Sequence, residues 1–526
     1  MKIRSLLLTL VAVSLVVAAV VTGEPLLAGI AIPMAAGLLT NRADRWMDDQ
    51  PWLKIELGEL IARLRPSRHK RQRSRNALVR VHLQAAPRSQ RNMLVLATLA
   101  LLGMGAAMVF SAVTHSPGAL VAETHSIGYL IRFLFFAALG LFVAFRVSRL
   151  DPARVRRHSR LILGIAFALL VAASLFGLGD VVNGSRQFVG FSAFQIQASE
   201  VMKLALVIYV ASEVSRVRNH KKVLDSLPAL FSSIFACMLI TIEPDVGSAL
   251  VCAFAVASVW LAAGTPVKRF LSNGIWLVAV PLLSVLLVSW RRASFFAFLD
   301  PRGSLSYSGF AAEQSLLGLG SGGFFGRGFG ESIEKAYYLP EAHTDFILSI
   351  IGEELGVVGV IYVLALLGIV FLAGLGIARR GRNLYEKSLA VGLTTLIAGQ
   401  GLLNVFAVLG LGPVTGATLP FVSYGSSSLL TDLLAVGLLL GISNSNSANE
   451  RVPSWMSANH VPLSRTLADR RIGLALSIFV LMLAVAAART LWVGTVQASG
   501  LAAQARAQQN LCGLRSGPTW SDPRSP

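Results

Sequence analysis

Long apolar runs alternate with short polar segments along most of the 526 residues. A helix needs about 20 apolar residues to cross a bilayer. Runs of that kind start near residues 93, 127, 159, 199, 228, 246, 271, 346, 388 and 425. Two shorter runs, 6–21 and 26–39, precede them, broken by Gly23, Glu24 and Pro25. One more apolar run follows within residues 472–493. Only helices and closed barrels satisfy their backbone polar groups in hydrocarbon, so the pattern predicts an all-α polytopic membrane protein. Periodicity does not separate core from lipid-facing positions here, because both faces are apolar.

Composition agrees. The chain is 54% hydrophobic and 14% charged, with mean hydropathy +0.65, whereas soluble domains are about a quarter charged. Lys plus Arg number 47 against 27 Asp plus Glu, a net charge of +20. In a soluble domain that excess would point to nucleic acid. Here the cations sit between apolar runs, at 146–160, 216–222, 268–269, 379–387 and 451–471. Counting spans puts all of these loops on one side of the membrane, which the positive-inside rule makes the cytoplasm. No nucleic-acid partner is expected. Residues 63–91 hold ten Lys or Arg and no acid. A cleaved signal peptide would export that segment against the usual charge bias. Residues 1–40 are therefore expected to form a hydrophobic hairpin with both ends inside, followed by a basic cytoplasmic segment, 41–92.

The alternate loops, 115–125, 179–198, 243–245, 291–345 and 411–424, then face outward, and they hold most of the unusual polar chemistry. Arg186, Arg291, Arg292, Arg302, Arg327 and Lys335 break the charge bias there. Cations retained on the outer side suit an anionic ligand such as a diphosphate; the alternative is pairing with headgroups or nearby acids. Cys237, Cys252 and Cys512 form no metal or disulfide framework, the eight histidines include no HExxH pair, and no Walker A motif is present. The stretch LPEAHTDFILSIIGEELG, residues 339–356, carries Glu341, His343, Asp345, Glu353 and Glu354 at the edge of an apolar run, where carboxylates are costly and functional.

Four outer segments resemble the SEDS family (FtsW, RodA and SpoVE) of shape, elongation, division and sporulation proteins. NGSRQFVGFSAFQIQASEVMK, residues 183–203, is similar to the family's G-A-R-R-W-I followed by Q-P-S-E-x-x-K, matching at Gly184, Arg186, Gln197, Ser199, Glu200 and Lys203. EPDVGSAL, 243–250, resembles Q-P-D-L-G-T, with Glu243 in place of Gln. The third segment runs from FLDPRGS through EQSLLGLGSGGFFGRGFGESIEKAYYLPEAHTDFILSIIGEELGVVG, with Ala311 where the family has Gln. The fourth, QGLLNVFAVLGLGPVTGATLPFVSYGSSSLL, 400–430, resembles P-V-T-G-x-x-L-P-F-x-S-Y-G-G-S-S, with Ser426 replacing Gly. PEAHTDF and PVTG…LPF look closest to the FtsW division branch.

The resemblance implies a ten-helix core over residues 93–443 with the hairpin and one further C-terminal span as additions. It also implies an inverting peptidoglycan glycosyltransferase that polymerises lipid II at the outer face of the bacterial cytoplasmic membrane. The implied partners are a class B penicillin-binding protein and other division or elongation membrane proteins. Such chemistry needs a base for the acceptor hydroxyl and cations for the diphosphate, supplied by Arg, Lys or a divalent cation such as Mg or Mn. No particular cofactor site is visible in the sequence. The family's catalytic Asp maps onto Asp345; an N-cap role is the alternative for a residue entering a helix. Substrate contacts are expected from Arg186, Lys203, Glu200, Asp245, Gln314, Arg327, Glu341, His343, Asn404, Thr415, Ser423 and Tyr424. Glu353 and Glu354 are read as structural partners of polar groups inside the bundle, and the glycine run 320–330 as a substrate-gating loop. A lipid-linked precursor flippase and a non-catalytic division scaffold are the competing functions.

Beyond the core, residues 444–471 read as a cytoplasmic linker, 472–493 as an extra transmembrane helix and 494–526 as an external tail. Arg470 and Arg471, one apolar span and then AAQARAQQ resemble the anchor and first pedestal residues of a class B penicillin-binding protein. An ordinary extra helix is the alternative.

Overall fold

The computed structural model describes residues 87–449, except 114–118, 175–179, 183–184, 192–193, 217–226, 244, 266 and 302–305, and residues 465–515. The expected N-terminal hairpin and nearly all of the basic segment lie outside the described residues.

Each of the ten expected runs forms a helix. They are α1 (Pro87–Val113), α2 (Ala119–Val147), α4 (Ser159–Ser174), α5 (Ala198–Arg216), α6 (Leu227–Ile242), α7 (Val246–Ala262), α8 (Val267–Leu287), α12 (Ile347–Arg379), α13 (Leu384–Val408) and α14 (Ser426–Asn449). Short α3 (Pro152–Arg157) joins α2 to α4, and α9 (Ser289–Phe296), α10 (Tyr307–Gly322) and α11 (Glu334–Tyr337) fill the long connection before α12. By length and composition, six described helices can cross a membrane: Ser89–Val113, Ile127–Val147, Ile347–Arg379, Leu384–Val408, Ser426–Ser445 and Ala475–Val496. Four apolar helices, those within α4, α6, α7 and α8, are shorter. α5 carries Glu200, Lys203, Glu213 and Arg216. The protein is a multi-pass helical membrane protein, as the apolar runs predict.

One element departs from the all-helical reading. Segment 180–197, expected as an outer loop, forms a three-stranded antiparallel meander, β1 (Asp180–Val182), β2 (Ser185–Phe191) and β3 (Phe194–Gln197). Its third strand is held by α14: Ser427 Oγ donates to the Gln195 carbonyl at 3.1 Å and accepts from the Gln197 amide at 2.9 Å.

The core lies between α5, α7, α12, α13 and α14, where Trp260, Met202, Leu206, Val405 and Leu433 are buried. α7 starts because Asp245 caps it, Oδ1 accepting the Ser248 amide at 2.8 Å, which satisfies one of the free amides of the first turn.

α12 is bent where Gly356 has φ 68° and ψ −164°. The glycine run lies against this bend. Gly323 and Phe324 carbonyls accept from the Val357 and Val358 amides at 3.1 and 3.4 Å, and the Arg327 and Gly328 amides donate to the Glu353 and Glu354 carbonyls at 2.9 and 3.1 Å. Glycine is needed on both sides for sterics. A Cβ at Gly356 would run into Gly326 N and Phe324 O, and one at Gly326 into Glu354 O. Residues 323–328 are thus a docked brace whose backbone replaces helix hydrogen bonds. Gly356→Ala should lower the thermal midpoint of the purified protein, costing about 2 kcal/mol or more from the left-handed backbone and the clash; an unchanged midpoint would refute this account.

The C-terminal unit packs on the same side. α15 (Arg465–Leu491) passes through a π turn (Trp492–Val496) into α16 (Ala498–Arg515). Phe479 stacks on Phe371 of α12 with centroids 3.7 Å apart, and Arg489 Nε donates to the Leu409 carbonyl at 3.3 Å. Leu501 of α16 occupies the space over Gly320 of α10.

Candidate active site

A cavity of about 240 Å3 opens among the ends of α7, α8, α9, α10, α12 and the segment between α13 and α14. Asp345, Glu341 and Phe346 form one wall, Thr415, Gly416 and Val414 another, and Arg291, Ser294, Phe295, Tyr307 and Ser308 a third.

The turn carrying Asp345 is fixed by its backbone. Glu341 adopts φ 51°, a strained conformation for a side chain with a Cβ, of the kind that clusters at functional sites. Its carbonyl then accepts the amides of Thr344, Asp345 and Phe346 at 3.2, 3.1 and 3.3 Å. Thr344 Oγ1 donates to Glu341 Oε2 at 2.9 Å. The segment after α13 is zipped onto this turn. Asn404 Nδ2 donates to the Asp345 and Ala417 carbonyls at 2.6 and 2.7 Å. Ser423 Oγ donates to the Thr344 carbonyl at 2.5 Å, and the Tyr424 amide to the His343 carbonyl at 3.0 Å. Asn404, Ser423 and Tyr424 therefore hold the backbone that aims Asp345.

The Asp345 carboxylate is not used as a cap. α12 begins at Phe346 without a side-chain cap bond. Burial in the cavity wall pushes the Asp345 carboxyl up to about 7, with the Glu341 and Asp245 carboxylates adding to the shift. Near neutral pH it can take up or release a proton, which suits an acid–base group. Tyr307 across the cavity is raised by burial and by Glu341 and Asp345. His343 lies within the turn, its ring 5.3 Å from Tyr129 and 5.7 Å from Tyr424. Burial lowers its pKa while Glu341 opposes the shift, which favours neutral imidazole.

The other expected contacts are spread over several places. Glu341 and Thr415 line the cavity with Asp345. Glu200 and Lys203 form an interior network instead: Lys203, 2% exposed, donates to Glu200 Oε1 and Gln400 Oε1, both at 2.7 Å. Thr431 Oγ1 donates to Glu200 Oε2 at 3.1 Å, and Asp432 is buried close by. Asp245 joins α7 to the start of α5, accepting from Ser199 Oγ at 2.9 Å as well as capping. Gln314 faces α16, donating to Gln508 Oε1 at 3.5 Å. Arg327 pairs with Glu353 at 3.3 Å. The backbone of Arg186 lies in β2, paired with Val181; its side chain lies outside the described residues.

Glu353 and Glu354 support the site connection, as the sequence suggests. Glu353 accepts from Ser332 Oγ at 2.5 Å and from the Ile333 and Glu334 amides at 3.0 and 3.3 Å. Glu354 pairs with Lys335 Nζ at 2.8 Å and accepts from Ser111 Oγ of α1 at 2.6 Å. Among the described residues, no group of three or more His, Cys, Asp or Glu is placed to hold a metal ion.

Sequence reasoning names Arg291 only as one of six outer cations suited to an anionic ligand, and it does not name Tyr307 or Ser308. A usable signal existed for Arg291: in SWRRASFF, positions 291, 294 and 295 share one helical face.

Fold and cavity together define a multi-pass membrane protein with an acid-lined chamber among its helix ends. Residues 92–448 match the cell cycle protein family of FtsW, RodA and SpoVE. Over 356 residues the chain is 37% identical to "Probable peptidoglycan glycosyltransferase FtsW" of Trichlorobacter lovleyi, covering 66% of this chain and 92% of that one. It is 38% identical to stage V sporulation protein E of Bacillus subtilis, covering 67% and 96%. Among solved structures it resembles a chain of a peptidoglycan synthase complex that coordinates polymerization and crosslinking, with TM-score 0.55, 26% identity and coverage of 67% of this chain and 97% of that one. It also resembles the D255A mutant of the rod shape determining protein RodA of Thermus thermophilus, with TM-score 0.50, 26% identity and coverage of 67% and 97%. The chain belongs to the FtsW/RodA/SpoVE family.

Proposed function

We propose that this protein is a peptidoglycan glycosyltransferase that polymerises lipid II into glycan strands at the outer face of the bacterial cytoplasmic membrane. The observation that carries the reading is the Asp345 cavity: a carboxyl poised near neutrality, in a chain 37% identical to a relative named as such an enzyme. Asp345 serves as general base and removes the proton of the acceptor sugar hydroxyl. The hydroxyl oxygen attacks the donor's anomeric carbon. The bond from that carbon to the diphosphate oxygen breaks, and its electron pair leaves with the polyprenyl diphosphate. Burial, with Glu341 adding to it, keeps the Asp345 carboxyl high, while Asn404, Ser423 and Thr344 hold the turn.

A class B penicillin-binding protein is the proposed partner. The support is the likeness to a chain of a peptidoglycan synthase complex. Cell division or shape maintenance is the proposed process.

The test uses the full chain in lipid vesicles with lipid II, with and without a chelator and with and without a transpeptidase partner. Glycan polymer resolved by gel is the expected product. Movement of the lipid II headgroup across the bilayer with no polymer would replace this reading with transport.

A further inference from the structure

We propose that Arg291 is the cation that binds the diphosphate leaving group opposite Asp345. This rests on the glycosyltransferase reading and deepens it by naming the contact to the leaving group.

Three of the cations expected near an anionic ligand lie away from the cavity. Lys203 is buried with Glu200 and Gln400 inside the bundle, Arg327 pairs with Glu353, and Lys335 is enclosed with Glu354, Ser111 and the Gly330 carbonyl. None of these three lines the cavity. Among the described residues, Arg291 is the cation that shares it with Asp345.

Helix geometry explains the selection. α9 follows directly on apolar α8, so its eight residues lie where that run ends. Successive residues project about 100° apart on a helix. Arg291, Ser294 and Phe295 therefore face the chamber together, while Arg292 and Phe296 are exposed. Two adjacent arginines thus have separate duties, and Arg292 is a built-in control.

The chemistry needs this placement. As the glycosidic bond breaks, negative charge grows on the departing diphosphate oxygen. A guanidinium offers a planar fork of donors that matches a phosphate, and charge-assisted bonds of this kind are stronger than neutral ones. Tyr307 and Ser308 on the same wall add hydroxyl donors. A chamber of about 240 Å3 is below the ~300–1,000 Å3 of a drug-sized ligand site. It suits the reacting diphosphate, with the sugars and the prenyl chain extending beyond it.

The test measures binding of a polyprenyl diphosphate and of the matching monophosphate to the full-length protein in nanodiscs, beside the initial rate on lipid II. Arg291→Ala should weaken diphosphate binding by about 10–100-fold, the range of a lost charge-assisted hydrogen bond, with a smaller loss for monophosphate. Arg291→Lys should recover part of it, and Arg292→Ala should stay within about twofold of wild type. Arg291→Gln, matched in melting temperature, replaces the alanine variant if that one fails to fold. Asp345→Asn should keep diphosphate binding and lose polymerisation. Wild-type diphosphate affinity in a folded Arg291→Ala or Arg291→Gln protein overturns the inference and leaves the glycosyltransferase reading standing. Full polymerisation by Asp345→Asn overturns that reading, and the inference with it.

Discussion

Asp345→Ala should cut the initial rate of glycan polymerisation by about 10²–10⁴-fold, the contribution of a positioned acid–base group, with little change in melting temperature. The asymmetry follows from what the side chain does in the fold. The Asp345 backbone is held by Asn404 and by the Glu341 carbonyl, and those bonds survive truncation. The carboxylate caps no helix. Removing a half-buried carboxyl raised by desolvation relieves a cost instead of creating one. A variant that loses rate and stability together would show that Asp345 is mainly structural. Asn404→Ala should separate the two roles from the other side. It frees two carbonyls now accepting at 2.6 and 2.7 Å, so rate and thermal midpoint should both fall in paired measurements.

The largest stability effect should come from Lys335→Ala. Lys335 and Glu354 side chains are fully buried, 0% exposed each, at 2.8 Å. Losing one partner of a buried pair leaves an uncompensated charge and costs about 3–5 kcal/mol. Glu354 would keep only the Ser111 hydroxyl. Because this pair joins α1, α11 and α12, the loss should loosen the connection ahead of Asp345 and lower activity as a consequence. Lys335→Met combined with Glu354→Gln removes both charges and should regain most of the thermal midpoint. A double variant no better than Lys335→Ala would locate the effect in packing instead of charge.

Much of this architecture is legible in the sequence, for physical reasons. The bilayer fixes the length of an apolar run, so the ten helices appear at the expected places. The division of residues 339–356 is also legible, because Asp345 precedes the span while Glu353 and Glu354 lie inside it and must find partners. Which partners is not legible. Arg327 and Lys335 are 26 and 19 residues from their partners in sequence and reach them only because the glycine brace folds back along α12. That brace looks like a mobile loop until the bend at Gly356 is known, since glycines required by close approach and glycines that confer mobility read alike. Segment 180–197 hides its strands because it is short and interrupted by glycine. Lys203 illustrates the remaining gap: its spacing from Glu200 predicts their pairing, and the pairing is present at 2.7 Å, but Gln400, 197 residues away, completes the enclosure. Arg291 was visible as a cation on the outer side, yet only the cavity separates it from Arg292.

Membership of the FtsW/RodA/SpoVE family gives this chain a fold and a chemistry, and the Asp345 cavity is the proposed location of that chemistry. The C-terminal helices lie beyond the family match at residues 92–448 and still pack on α10 and α12. α10 contributes Tyr307 and Ser308 to the chamber, so this packing connects the extra unit to the site.

The central claim is that Asp345 works as the base, and the pH dependence of the initial polymerisation rate tests it most directly. Its carboxyl is raised to about 7, so the basic form is scarce at acid pH and grows as pH rises through that value. The wild-type rate should climb about tenfold per unit well below pH 7 and level off above it. Glu341→Gln removes a neighbouring negative charge and should move the midpoint to lower pH. A wild-type rate that is flat from pH 5 to 9 with lipid II, in protein that stays folded throughout, would contradict the assignment.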